Sequence, residues 1–100
     1  MKFVISWTRR EGGSPQDSEA AERSLMELYG RWSPGPTVHQ FVYRLDGQGG
    51  FGVFEPEDPV AMGRDIAIFA PYFVYTIYPV LDIADAVALG QQALEFRASA

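Results

Sequence analysis

Apolar and polar positions alternate along "KFVISWT", with Phe3, Ile5 and Trp7 on one parity and Val4, Ser6 and Thr8 on the other. That two-residue period predicts a strand with at least one face against a core. The period then changes. Ala21, Leu25, Leu28, Tyr29 and Trp32 recur at helical spacing on one stripe, flanked by Glu19, Glu22, Arg23 and Glu27. Ser14, Pro15 and Asp17 supply a capping hydroxyl, a proline at the first helical position and an acid near the positive end of the helix dipole, so the helix is expected to start there. "SPGP", residues 33–36, ends it.

Two more apolar runs follow, from about Thr37 to Leu45 and from about Gly50 to Glu55, joined by the four-residue connection "DGQG". Such a connection closes an antiparallel hairpin. Pairing Arg44 with Phe51 sets Val42 opposite Val53, Phe41 opposite Phe54, Tyr43 opposite Gly52 and Gln40 opposite Glu55, leaving His39 and Glu55 on opposite faces. Asp58 and Pro59 repeat the cap-then-proline start for a short helix over Val60 to Ala70, which stops before Pro71. "YFVYTIYPV" reads as a fourth strand, and Asp82 with Asp85 opens a last helix through Ala84, Ala88, Leu89, Ala93, Leu94 and Phe96.

The order is βαββαβα. Two right-handed crossovers wrapped around a central hairpin give a ferredoxin-like α+β fold, a four-stranded antiparallel sheet with both crossover helices on one face and a C-terminal helix besides. Residues 1–100 are expected to form a single domain. The second face of the sheet is left bare, yet the fourth strand is apolar on both parities, with Phe73, Tyr75 and Ile77 on one and Tyr72, Val74 and Tyr78 on the other. Burying a large apolar side chain is worth roughly 1.5–3 kcal/mol. Both faces are therefore expected to be covered, the second by another copy of the sheet in a two-fold homodimer.

Charge and composition narrow the function classes. The net charge of -5, with only Arg9 and Arg10 adjacent among the basic residues, gives no footprint for nucleic acid. The uncharged stretch from Ile66 to Leu81 falls short of the roughly 20 residues a spanning helix needs and contains Pro71 and Pro79, so no membrane association is expected. "MKFVISWTRR" lacks the order of a secretory signal, and cysteine is absent, which suits a cytoplasmic location. One histidine and no thiolate leave too few ligands for a structural zinc; no metal and no cofactor are expected.

The glycines of "DGQGGFG" precede a strand, whereas a phosphate loop needs a helix start behind it, so they are read as a turn, with Gly52 making room for Tyr43 or a ligand. "TRREGGSP" does join a strand to a helix start and brings Arg9 and Arg10 to an anion-favouring position, against the reading of an ordinary loop. A triad through Ser6 and His39 lacks a nucleophile elbow. His39 is the one side chain with a reference pKa near neutrality, so any acid or base role falls to it by default. Trp7, Tyr43, Tyr72, Tyr75 and Tyr78 carry polar tips on apolar bodies and suit the wall of a cavity for a flat, partly polar molecule. The candidate site is thus His39 as the catalytic group, with Trp7, Gln40, Tyr43, Arg44 and Tyr75 as ligand-binding residues.

The opening "KFVISWT", the helix end "RWSP", "VHQF", "GGFGVFE" and "PVLDIADAVAL" resemble a small family of unknown function in the dimeric α/β-barrel superfamily. That superfamily also holds antibiotic-biosynthesis monooxygenases, stress-responsive A/B barrel proteins, muconolactone isomerases and some polyketide cyclases. The resemblance spans nearly the whole chain and implies a fold, a homodimer and a small-molecule cavity in each protomer. The expectation is a small-molecule-binding protein, with cofactor-free oxidation, isomerisation or cyclisation of a small, partly aromatic organic substrate as the candidate chemistry. The rival is a non-catalytic binding or accessory dimerisation module in which no cavity remains.

Overall fold

In the computed structural model, which describes residues 1–99, seven elements follow in the expected order: β1 (Lys2–Arg9), α1 (Pro15–Arg31), β2 (Thr37–Tyr43), β3 (Gly49–Glu55), α2 (Pro59–Phe69), β4 (Phe73–Val80) and α3 (Ile83–Ser99). The strands form one antiparallel sheet in the order β2-β3-β1-β4, the ferredoxin-like arrangement. Local chemistry starts the helices. Ser14 Oγ accepts from the Asp17 amide while the Asp17 carboxylate accepts from the Ser14 amide, a reciprocal capping box. The same bond holds the Asp17 carboxyl below its ordinary range. Asp58 caps α2 by accepting from the Val60 amide.

Register assigns the faces. Ile5 and Trp7 on β1, Phe54 on β3 and Phe73 and Tyr75 on β4 share the face that carries α1 and α2. A small core forms there from Ile5, Phe54 and Met62, with Phe3, Ile66 and Tyr75 packed against it. Val4, Ser6, Phe51, Val53, Val74, Thr76 and Tyr78 lie on the other face. That face is open within one chain: Phe51 is 49% exposed and Tyr78 55%. As expected, the chain's own helices cover only one face, and α3 does not fold back over the other. Every residue of α3 is exposed, and the molecule is 64 Å long against 25 × 20 Å in cross-section. The Asp82 carboxylate, expected to help open α3, instead takes the Lys2 ammonium at 2.8 Å.

The hairpin differs from the predicted register. Val42 pairs with Phe51, Phe41 with Gly52 and Tyr43 with Gly50, and β2 ends at Tyr43, two residues early. The connection is wider than "DGQG": the Arg44 amide donates to the Gly49 carbonyl and the Gly47 amide to the Arg44 carbonyl, with Gly47 at φ 72°. An irregularity between Val38 and Gln40 then inserts an extra residue, so Thr37 rather than Gln40 stands opposite Glu55.

Gly50 and Gly52 seat aromatic rings. A Cβ on Gly50 would fall 2.4 Å from a Trp7 ring carbon, and one on Gly52 would fall 2.1 Å from the Phe54 ring. Gly52 thus makes room for Phe54, not for Tyr43 as its predicted pairing implied. The rings of Trp7, Phe41 and Phe54 run in sequence across the sheet at centroid separations of 5.2 and 5.6 Å.

Candidate functional site

The apolar stripe of α1, which the sequence assigns to a packed core, stands off the sheet. Every residue of α1 is at least partly exposed, and Leu25, Met26 and Tyr29 look onto a cavity of about 420 Å³ instead of onto the sheet's side chains, with Trp32 just past the helix end on the same wall. The floor is the aromatic row of Trp7, Phe41 and Phe54 with Phe73 and Tyr75 beside it, and Met62, Ile66 and Phe69 of α2 close one side. Trp32 stands edge-on to Phe69 at 5.2 Å and to Phe41 at 6.1 Å, joining roof to floor. It is placed by the end of α1, where its amide donates to the Tyr29 carbonyl.

Polar bonds at the rim hold the roof. The Arg9 guanidinium donates to both carboxylate oxygens of Glu22 on α1, one of them at 3.0 Å, and to the Tyr43 hydroxyl at 2.8 Å. Glu22, predicted to lie on a solvent flank, is therefore turned toward the cavity mouth. Its bond to Arg9 holds its carboxyl below the usual carboxylate range, and the same bond raises the guanidinium pKa. Across the sheet, Ser24 Oγ and Tyr72 Oη share a hydrogen bond of 2.6 Å. Asp65 of α2 accepts from the Trp32 indole at 3.2 Å and from the Gly35 amide at 3.4 Å. Inside, burial pushes the Tyr75 phenol up to about 12.

Of the residues singled out from sequence, Trp7, Tyr43 and Tyr75 line this cavity. His39, Gln40 and Arg44 lie elsewhere. The His39 imidazole meets Glu55 at 2.8 Å, and Glu55 belongs with Thr37 to the open face. The predicted register kept His39 and Glu55 apart; the irregularity at Val38–Gln40 brings them together. Gln40 pairs with Val53 on that face, and Arg44 is tied to Asp46 in the hairpin turn. Ser6 sits between Phe51 and Thr76, also on the open face.

Arg10 donates to the Ala70 carbonyl and Arg9 is committed to Glu22, so the pair forms strand-to-helix clasps. Sequence reasoning missed Arg9, Glu22, Trp32 and Asp65 as a set. The signal for Arg9 was available, since it continues the parity of Ile5 and Trp7. Nothing local announces Asp65, which acts on a residue 33 positions away.

No helix among the described residues is long and apolar enough to cross a membrane. No curated protein matches the chain. One family model does, over residues 1–94, from β1 into the last turns of α3. With that span covered, the chain belongs to the DUF3303 family, a domain of unknown function.

Proposed function

We propose that this domain is a small-molecule-binding protein of the dimeric α/β-barrel kind, taking a flat, mainly apolar organic ligand with polar ends between the sheet and α1. The observation that carries this reading is the aromatic cavity itself. Its volume of about 420 Å³ falls within the 300–1,000 Å³ typical of small-molecule sites. The cavity opens to solvent, so a ligand can enter it without any rearrangement of the fold.

The rim supplies orientation. Arg9, Tyr43 and Glu22 stand together at the mouth and Asp65 with Trp32 under the far end of α1, so a ligand with a polar group at each end matches the wall. Glu22 is held ionised and Tyr75 neutral around pH 7. The wall therefore favours recognition over proton transfer, and binding is the function proposed. The His39–Glu55 pair belongs to the other face. There, Val42, Phe51, Val74 and Tyr78 are exposed around Ser6 and Thr76, a surface suited to a two-fold pairing of sheets, and a homodimer is part of the proposal.

Both tryptophans of the chain, Trp7 and Trp32, are on the cavity wall, so their fluorescence reports occupancy directly. Titration with a fused-ring probe, 2-naphthol, is expected to quench emission along a saturable single-site curve. A Leu25→Phe variant, which pushes extra volume from α1 into the cavity, is expected to abolish saturation while leaving the circular dichroism spectrum intact. Linear collisional quenching in wild type, or an unchanged curve in the variant, would remove the cavity as the binding site.

A further inference from the structure

The last helix has nothing of its own chain beneath it. Ile83 is 79% exposed, Leu94 60% and Phe96 77%. The residues are not those of a solvent-facing helix. At 100° per residue, Ile83, Val87 and Leu94 fall on one stripe and Leu89, Ala93 and Phe96 on a second, together spanning about half the circumference, with Arg97 between the stripes, Asp85 at the border beside Phe96, and Gln92 and Glu95 on the other side. A 17-residue helix with Gly90 near its middle is marginal in water without tertiary contacts.

The surface area says how much is missing. The chain exposes 7414 Å², whereas a compact monomer of 11.1 kDa exposes about 5,700 Å², an excess of about 1,700 Å² per chain. The radius of gyration of 18.2 Å against about 13 Å for a compact 100-residue domain tells the same story. A sheet interface of standard size removes about 800 Å² per partner, which leaves roughly half of the excess on α3. Twice the excess, about 3,400 Å², falls in the range of obligate homodimers.

The exit of the helix selects the side. Lys2 shares the parity of Val4 on the open face, and its ammonium holds Asp82, the residue before α3, at 2.8 Å. The arm thus leaves from the border of the apolar sheet face. We infer that α3 is an arm exchanged between two copies of this chain, each laying its apolar arc on the other protomer. The inference rests on the homodimer proposed above and adds the element that completes it.

The test uses the full chain, with sedimentation velocity over a concentration series and amide hydrogen exchange read by mass spectrometry. A dimer is expected in which α3 amides exchange at least about a hundredfold more slowly than in a free helix. Leu94→Glu, and independently Val87→Lys, are expected to raise the dimer dissociation constant about thirtyfold and to strip that protection. Gln92→Glu, on the polar arc, is expected to change neither. A dimer whose α3 exchanges freely and which tolerates Leu94→Glu and Val87→Lys would overturn the exchanged arm and leave the sheet pairing standing. A monomer, whether its α3 is free or protected, would overturn both.

Discussion

Replacing Gly52 by alanine isolates the claim that glycines in β3 exist to seat the aromatic floor. The added methyl would lie 2.1 and 2.6 Å from two carbons of the Phe54 ring. Carbon contacts are optimal at about 3.5–4.0 Å, so the ring must swing aside. It has little room, being 6% exposed, 5.6 Å from the Phe41 ring and packed with Ile5 and Met62. Overpacking a filled site costs about 1–3 kcal/mol. Backbone entropy acts in the other direction, since alanine in a strand is favoured over glycine by roughly 0.5–1 kcal/mol.

The net expectation is a loss of about 1–2 kcal/mol, with each kcal/mol lowering Tm by about 4–8 °C in a domain of this size. Thermal unfolding followed by circular dichroism at one fixed protein concentration measures it. Gly63→Ala in α2, where a methyl meets nothing within 4 Å, is the control and is expected to gain about 1 kcal/mol. In a Phe54→Leu background the cost of Gly52→Ala should shrink by about 1 kcal/mol, because the clashing ring is gone. A Gly52→Ala protein that melts at or above the wild-type temperature would refute the seating role.

Glu22→Gln breaks the charged clasp between α1 and β1. Because Arg9 holds the Glu22 carboxyl below its ordinary range, the clasp stabilises above the unfolded carboxylate pKa and is lost as pH falls through the folded one. The Tm gap between wild type and variant should correspond to less than about 1 kcal/mol at pH 7 and shrink steadily as pH falls below the unfolded carboxylate value of 4.5; a gap that does not shrink in acid would contradict the clasp. For Tyr75, burial raises the phenol to about 12, so stability should fall as pH rises above the ordinary value of 10. Absorbance titration of wild type against Tyr75→Phe should show the last-titrating phenol missing from the variant, and identical curves would contradict burial of the ring.

Much of the architecture is readable from short stretches. Ser14 with Asp17 and Asp58 with Pro59 start their helices where local hydrogen bonding dictates, and alternation in "FVISWT" sets the faces of β1. Of the five polar-tipped aromatics expected on a cavity wall, Trp7, Tyr43 and Tyr75 line it, whereas Tyr78 lies on the open face and Tyr72 bonds Ser24, because the same side-chain character serves either place. Gln40 and Arg44 were grouped with them as polar residues able to orient a ligand, and strand parity alone does not say which face each one takes. In the structure, Gln40 lies on the open face and Arg44 is in the turn with Asp46. The partnership of His39 with Glu55 depended on one extra residue at Val38–Gln40, and no pattern of period two can announce an interruption of itself.

By itself, then, the sequence determined the element order, the helix starts and the ferredoxin-like topology, since each follows from interactions among residues a few positions apart and from the handedness of crossovers. Tertiary structure decided the rest. Whether the α1 stripe packs down or stands off as a roof depends on Trp32 meeting Asp65 and Arg9 meeting Glu22, partners 33 and 13 residues apart. Whether α3 folds home or reaches outward depends on surfaces no local pattern encodes. Both depend on contacts between residues distant in sequence, which exist only once the chain has folded.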